Sequence, residues 1–170
     1  MASPWVISPP KRTYIVGVSD MLTCNDSNAD LVTHSLGSCI GVIAYDPVRK
    51  VGGLLHLMLP DSKIDVKKAV EQPFMFADTG LPRLFHAVYA LGGDKSRLEI
   101  KVAGGAQFLD EKRIFNIGER NSAAVLQILS RNSVNPLATD IGGQASRTIR
   151  LDLATGNVSV QQPGKALYLL

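Results

Sequence analysis

Cys39 and His56 are the two residues of this sequence whose types and spacing best suit covalent chemistry. Each lies in a short apolar segment, and the turn-forming sequence DPVR at residues 46–49 separates the two segments. If the segments form a hairpin whose two-residue tip is Pro47 and Val48, Cys39 faces His56 directly across the strands. Directly opposed residues have Cβ atoms about 5 Å apart, so the imidazole could take a proton from the thiol. The spacing therefore predicts a Cys–His nucleophile.

A plainer interpretation competes with this one, because a cysteine or histidine in an apolar strand is usually an inert or hydrogen-bonded core residue. A hairpin tip one residue longer would also move the two side chains to opposite faces. Gly37 and Ser38 directly before Cys39 favour catalysis, because a tight turn there would expose the sulfur at the start of a strand. The same small residues would leave backbone N–H groups free to act as an oxyanion hole.

A general base also needs a third group that fixes its tautomer, and Thr33 is the candidate. A continuous strand would hold Thr33 about 20 Å from Cys39. The site therefore requires a turn around Leu36 and Gly37 that folds the Thr33 strand back beside the Cys39 strand. Thr33 would then reach the site through its hydroxyl or carbonyl group, although β-propensity explains a threonine here equally well. His34 would point to the other face of the strand, as a surface residue or a neighbour of the site.

Metal and cofactor sites have little support in the sequence. Cys24, His34, Cys39 and His56 could together bind zinc, but no CxxC or HxxxH spacing supports that set. Neither a Walker loop, nor a GxGxxG motif after a strand, nor HExxH is present. Cys24 is predicted to be an exposed thiol in a polar loop, and His86 to be a structural residue of a helix. The residues therefore predict a reaction that uses no metal or organic cofactor.

Composition and charge are those of an ordinary soluble globular protein. The hydrophobic fraction is 45%, the charged fraction 19% and the formal net charge +3. Basic residues occur in scattered pairs, which argues against a nucleic-acid surface. No apolar stretch approaches the roughly 20 residues that cross a bilayer, and the proline-rich start lacks a signal peptide, so we expect a cytoplasmic protein. Two cysteines do not make a disulfide framework.

The chain contains no internal repeat or low-complexity linker, which predicts a single domain at residues 13–170. A disordered or extended N-terminal arm at residues 1–12 precedes it. Besides the two strands of the hairpin, strands are expected at residues 13–19, 30–35, 98–103, 134–139, 148–153 and 158–161. Because strands and helices do not alternate strictly, the pattern predicts the α+β class.

Two helices are expected from apolar residues at helical spacing. The first follows a cap at Thr79 and runs to about Leu91, and the second follows a cap at Asn121 and runs to about Arg131. Residues 61–72 are charged and are expected to be irregular.

Short motifs occur in a particular order along the chain. They are THSLGSC at residues 33–39, HLMLP at 56–60, ADT at 77–79, AGGA at 103–106, NIGERN at 116–121 and DIGG at 140–143. Each motif is weak alone, but the ordered set is specific and covers most of the span from about Thr13 to Val160. In these motifs the chain resembles the CheD family, the chemoreceptor glutamine deamidases of bacterial and archaeal chemotaxis.

The resemblance implies a compact α/β sandwich with mixed or antiparallel β-sheets and about two to three helices. It implies that Cys39 is the nucleophile, His56 the general base and acid, and Thr33 the residue that orients the histidine. The implied substrate is a glutamine side chain on the cytoplasmic coiled coil of a chemoreceptor (a methyl-accepting chemotaxis protein), converted to glutamate during chemotaxis adaptation. Methyl-ester hydrolysis is sometimes attributed to such proteins, and relatives also bind CheC, a phosphatase of the phosphorylated response regulator.

The chain departs from the usual pattern of the family in three places. His34 and Ser35 stand where relatives commonly carry small or aliphatic residues, Gly80-Leu81-Pro82 interrupts what is often a smoother helix start, and the N-terminal arm is longer. These departures leave the three candidate catalytic positions intact and bear on the choice of substrate and partner.

Two alternatives from other functional classes stay open at the level of sequence. One is a largely non-catalytic adaptor that binds a CheC-like phosphatase or a receptor. The other is a different Cys–His hydrolase, such as a peptidase or a transglutaminase-like enzyme.

Overall fold

The computed structural model describes residues 10–107 and 116–170, which form an α+β fold as predicted. The helices of this part of the chain are α1 (Val66–Glu71), α2 (Ala77–Ala90) and α3 (Ile117–Arg131), with short 3-10 turns at Ser62–Ile64, Pro73–Met75 and Lys95–Arg97. The strands are β1 (Arg12–Ile15), β2 (Asp20–Cys24), β3 (Ala29–Leu36), β4 (Ile40–Asp46), β5 (Val51–Leu57), β6 (Glu99–Gly104), β7 (Ala138–Ile141), β8 (Arg147–Asp152), β9 (Val158–Gln161) and β10 (Tyr168–Leu169).

The strands form two mixed five-stranded sheets. The outer sheet has the order β1-β3-β8-β9-β10, and the central sheet has the order β2-β5-β4-β6-β7. The pairs β1–β3 and β6–β7 are parallel, and the other neighbours are antiparallel. The prediction of a sandwich with mixed or antiparallel sheets and two to three helices is therefore confirmed for the described residues.

The central sheet is covered on both faces, which explains why its strands read as continuous apolar runs. Every residue of β4 and β5 is buried, whereas burial in β8 of the outer sheet alternates. One face of the central sheet packs against the outer sheet in an inter-sheet core that includes Ile43, Leu54, Leu31 and Ile149. Its other face packs against the helices through Val42, Leu55, Leu81, Leu84, Val125 and Leu129. Burying each such side chain contributes about 1.5–3 kcal/mol.

The predicted register of the β4–β5 hairpin is wrong by two residues. Asp46 pairs with Val51 and Gly41 pairs with His56, so the connection has four residues, 47–50, rather than two. An even shift keeps every side chain on its expected face, because side chains alternate with a period of two. Cys39 therefore stays on the His56 side of the sheet, at a diagonal position rather than directly opposite.

The longer connection is stabilised by the side chain of Asp46. This buried carboxylate accepts hydrogen bonds from the N–H groups of Val48 and Arg49 at 2.9 and 3.1 Å. Burial alone would raise the pKa of Asp46, but these bonds and that of Arg97 at 2.7 Å lower it to about 2. Lys50 closes the turn with a φ of 50°. A fully charged Asp46 thus holds a compact turn that the sequence DPVR alone does not specify.

The predicted boundaries of α2 are also corrected. The helix begins at Ala77, and Thr79 lies inside it, donating its hydroxyl to Pro73 O at 2.6 Å instead of capping. Gly80-Leu81-Pro82 does not interrupt the helix. Gly80 allows close packing on β5, since a Cβ there would lie 3.2 Å from a methyl group of Leu55.

Several short elements lie where the sequence predicts none. The region expected to be irregular, residues 61–72, contains a 3-10 turn and α1, and β2 and β10 are additional strands. Strand β7 starts later than the predicted strand at residues 134–139. Residues 1–9 of the predicted N-terminal arm lie outside the described residues, and Arg12 already pairs with Ala29 in β1. None of the described helices is both long enough and apolar enough to span a membrane.

Candidate active site

The Thr33 and Cys39 strands belong to different sheets. β3 lies between β1 and β8 in the outer sheet, whereas β4 lies in the central sheet. The expectation that the Thr33 strand folds back beside the Cys39 strand is therefore wrong: residues 37–39 carry the chain from one sheet to the other. Thr33 is fully buried and reaches His56 across the inter-sheet core, and the exposed His34 points the opposite way, as predicted.

A short hydrogen-bond chain fixes the tautomer of His56. The Thr33 hydroxyl oxygen lies 2.7 Å from Val16 O and 2.7 Å from His56 Nδ1. Val16 O can only accept, so the single Thr33 hydroxyl hydrogen is donated to it. The hydroxyl oxygen must then accept from His56 Nδ1–H. In the neutral ring this leaves Nε2 without a hydrogen and able to act as a base.

His56 has the protonation state that a general base requires. The residue is 1% exposed, and Nε2 has no hydrogen-bond partner among the described residues. Burial lowers the pKa of His56 from 6.5 to about 4, because a charged imidazolium is poorly solvated in the core. At neutral pH the ring is therefore uncharged, with a free lone pair on Nε2.

Cys39 lies half-buried directly before β4 and packs against the inter-sheet core. It lies two residues before Gly41, which pairs with His56, so its side chain is on the His56 face at a diagonal position, where Cα atoms are about 7–8 Å apart. Burial raises the pKa of the Cys39 thiol, and a hydrogen bond from its own backbone N–H offsets part of that rise. The thiol and the imidazole are therefore both neutral at rest and no hydrogen bond joins the Cys39 sulfur to His56 Nε2, so attack by sulfur requires that the two side chains approach and that the base remove the proton.

The loop before Cys39 is held by its carbonyl groups. Gly37 O accepts from Ala106 N at 2.8 Å, and Cys39 O accepts from Gly105 N at 2.8 Å. Among residues 10–107 and 116–170, no backbone carbonyl accepts a hydrogen bond from the N–H groups of Gly37 and Ser38, and the Cys39 N–H lies beside its own sulfur. The N–H groups of this loop, from Gly37 to Cys39, are candidates to donate to a negatively charged oxygen.

Gly104 permits the close approach of two backbone segments at the site. Its φ is +119°, and a Cβ there would lie 2.2 Å from Cys39 O. Gly118 at the start of α3 is equally restricted, since its Cβ would lie 2.5 Å from Gly105 O. The AGGA motif therefore marks direct backbone packing against the loop that carries Cys39.

Asn121 is a site residue that the sequence reasoning assigned to a different role. Helix α3 begins at Ile117, so the predicted cap at Asn121 is wrong and the residue lies inside the helix. Asn121 is fully buried, and its Nδ2 donates to Ser38 O and Met58 O. The available signal is helical spacing: Asn121 falls on the stripe formed by Gly118, Ser122, Val125 and Leu129.

The four residues of the zinc alternative do not come together. His34 is exposed on the face of β3 opposite Thr33, and no group of three or more His, Cys, Asp or Glu side chains in the described ranges is arranged to hold a metal. Cys24 ends β2 and is half-buried, so its prediction as an exposed loop thiol is wrong. Its sulfur accepts a hydrogen bond from Asp26 N at 3.3 Å. His86 of α2 is exposed.

The lowered pKa of His56 predicts a pH dependence of stability. Between pH 6.5 and about 4 the unfolded chain binds a proton at His56 that the folded protein does not. The free energy of unfolding is therefore expected to fall by about 3 kcal/mol as the pH drops through that window. Urea unfolding at several pH values measures this change in the free energy of unfolding. His56→Gln should remove most of this slope, whereas His86→Gln, which alters an exposed imidazole, should retain it. An unchanged slope in His56→Gln would contradict the prediction.

Comparison with known proteins identifies the family of this chain. A family model described as "CheD chemotactic sensory transduction" matches residues 58–162. A Syntrophus aciditrophicus protein named "Probable chemoreceptor glutamine deamidase CheD 1" is 48% identical over 90% of this chain and 96% of its own. "Probable chemoreceptor glutamine deamidase CheD 2" of Anaeromyxobacter dehalogenans is 48% identical over 86% of this chain and 92% of its own. The match to these relatives extends over nearly their whole length, and the chain belongs to the CheD family.

Proposed function

We propose that this protein is a chemoreceptor glutamine deamidase, a protein-glutamine glutaminase, in which Cys39 is the nucleophile. His56 is the general base and acid, and Thr33 orients it. The observation that carries this assignment is the Val16–Thr33–His56 hydrogen-bond chain, which leaves Nε2 as a buried, unpaired acceptor on the face that Cys39 shares. Membership of the CheD family supplies the reaction, since its relatives are named for chemoreceptor glutamine deamidation.

Deamidation proceeds through a thioester. His56 Nε2 takes the Cys39 proton while the sulfur forms a bond to the carboxamide carbon, and the charge passes to the carboxamide oxygen. Backbone N–H groups at Ser38 and Cys39 stabilise this oxyanion. The C–N bond then breaks, and the imidazolium protonates the departing ammonia. Water that gives its proton to Nε2 attacks the thioester, the C–S bond breaks, and glutamate and the free thiol result.

The same cycle accepts a methyl ester in place of the amide, with methanol leaving instead of ammonia. We therefore include methyl-ester hydrolysis at modified glutamates as a second reaction of the same site. Both reactions leave a glutamate on the receptor, and this change of charge gives the protein a role in chemotaxis adaptation.

The proposed substrate region is the cytoplasmic coiled coil of a chemoreceptor, which places the enzyme in the cytoplasm. A CheC-like phosphatase is the proposed second partner. The mechanism uses only thiol, imidazole and backbone groups, so the proposal includes no metal or organic cofactor.

The test is the intact mass of a chemoreceptor cytoplasmic fragment after incubation with this protein. Each deamidated glutamine should add about one dalton in ordinary water and about three in water labelled with oxygen-18, because the new oxygen comes from solvent. The fragment incubated alone is the control. Binding to the fragment without any change in mass would replace this proposal with the adaptor, and cleavage or amine incorporation would indicate a different Cys–His enzyme.

A further inference from the structure

The buried Asn121 side chain joins the two halves of the candidate site. Its Nδ2 donates hydrogen bonds to Ser38 O at 2.9 Å and to Met58 O at 2.7 Å. Ser38 directly precedes Cys39, and Met58 follows shortly after His56. One amide group thus connects the loop before the nucleophile to the end of the strand that carries the base.

The chemistry of this position requires two donated hydrogens. Ser38 O and Met58 O can only accept, so the NH₂ group of Asn121 must face them and both of its hydrogens are used. Its Oδ1 is buried and has no hydrogen-bond partner in the part of the chain that the structure describes. A carboxylate or an alkyl group of the same shape would offer no hydrogen to either carbonyl.

The bond to Ser38 O also sets the direction of the Cys39 N–H. In a planar trans peptide the C=O and N–H of one unit point in opposite directions. Because Ser38 O points towards Asn121 in α3, the Cys39 N–H points away from the helix. That N–H lies beside the Cys39 sulfur, where it lowers the pKa of the thiol. A donor next to the nucleophile is where the oxyanion of a tetrahedral intermediate develops.

We propose that Asn121 is a positioning residue, which turns the Ser38–Cys39 peptide so that the Cys39 N–H faces the oxyanion and fixes this loop relative to His56. The inference rests on the proposed function. The neighbouring carbonyls of Gly37 and Cys39 are held by backbone N–H groups of the AGGA segment. Asn121 is therefore the side chain through which a substitution can release this loop.

The test compares a reaction of Cys39 that forms an oxyanion with a reaction that does not. Acylation by p-nitrophenyl acetate forms an S–C bond, passes through an oxyanion and expels p-nitrophenolate. Alkylation by iodoacetamide displaces iodide and forms no oxyanion. In Asn121→Ala, acylation is expected to slow about 10- to 100-fold, while alkylation stays within about twofold. All variants carry Cys24→Ala, so that Cys39 is the single thiol of the chain.

Ser122→Ala is the matched control. Ser122 is the next residue of α3, is also buried, and donates its hydroxyl only to Gly118 O of the same helix, at 2.8 Å. Both of its rates should equal those of the parent. If both reactions slow equally in Asn121→Ala, the substitution has disturbed the structure of the site in general. If neither reaction slows, Asn121 does not position the Cys39 N–H. Either result overturns the inference.

Hydrogen exchange on the unsubstituted protein decides the question if Asn121→Ala does not fold. The N–H groups of Gly105 and Ala106 are hydrogen-bonded to the loop and should exchange slowly, whereas the Cys39 N–H should exchange at least about tenfold faster. A Cys39 N–H as protected as that of Gly105 would rule out its presentation to the oxyanion. Neither test uses a receptor, so failure of receptor deamidation would count against the proposed function alone.

Discussion

Cys39→Ala is expected to abolish the mass gain of a chemoreceptor fragment completely, because the thioester cannot form without the sulfur. The protein should remain folded. Cys39 is only half-buried and lies before β4 rather than within it, so loss of one sulfur atom is expected to cost about 1 kcal/mol or less. Cys39→Ser should be almost as inactive, since a hydroxyl is far harder for His56 to deprotonate than a thiol.

Cys24→Ala provides the matched control for this experiment. Cys24 is the other thiol of the chain and is also half-buried, but it ends β2 and its sulfur accepts a hydrogen bond from Asp26 N. Its replacement should leave the rate of deamidation within about twofold of the parent. Continued turnover by a folded Cys39→Ala protein, or equal losses in both variants, would refute the nucleophile.

His56→Ala is expected to reduce deamidation by about 10³-fold or more, because both proton transfers pass through Nε2. Thr33→Val should cause a smaller loss of about 10- to 100-fold. Valine has nearly the shape of threonine but no hydroxyl, so His56 keeps its ring while Nδ1 loses the group that selects its tautomer. Initial rates of ammonia release measure both variants, with kcat expected to fall and KM to change little.

His86→Ala is the control for the histidine, since His86 is exposed on α2 and is expected to be dispensable. Equal rates for Thr33→Val and the parent would remove Thr33 from the catalytic set. A His56→Ala protein that retains a tenth or more of the activity would show that another group accepts the Cys39 proton.

The fold is predicted from sequence where local pattern and tertiary structure agree. The apolar runs around Cys39 and His56 predict β4 and β5, and both strands form because the central sheet is buried on two faces. The predicted hairpin register is wrong because the four-residue turn is held by the Asp46 carboxylate, which binds two N–H groups of the turn and also Arg97, far away in sequence, at 2.7 Å. The short helix α1 is not predicted because its charged residues obscure the apolar pattern of a helix, and Ala69 is its only buried residue.

The sequence names candidate site residues but does not predict the geometry that joins them. Residue types and turn positions point to Cys39 and His56, whereas Thr33 is singled out by the resemblance to the CheD family. No local pattern encodes the contact of Thr33 with His56 across two sheets. Asn121 is misassigned because asparagine before an apolar helical stripe is a common cap. Its burial depends on the carbonyl groups of two distant segments, which only the folded chain brings together.

The division of the candidate site between two sheets also orders events during synthesis of the chain. Cys39 and His56 are translated early, but β3, which carries Thr33, pairs with β8, and β8 lies in the last quarter of the sequence. A ribosome-bound chain that has not yet exposed β8 lacks a completed outer sheet to hold Thr33 against His56. On the proposed assignment, full catalytic activity appears only when translation is nearly finished, so incomplete chains released from the ribosome would modify receptors far more slowly than the complete chain.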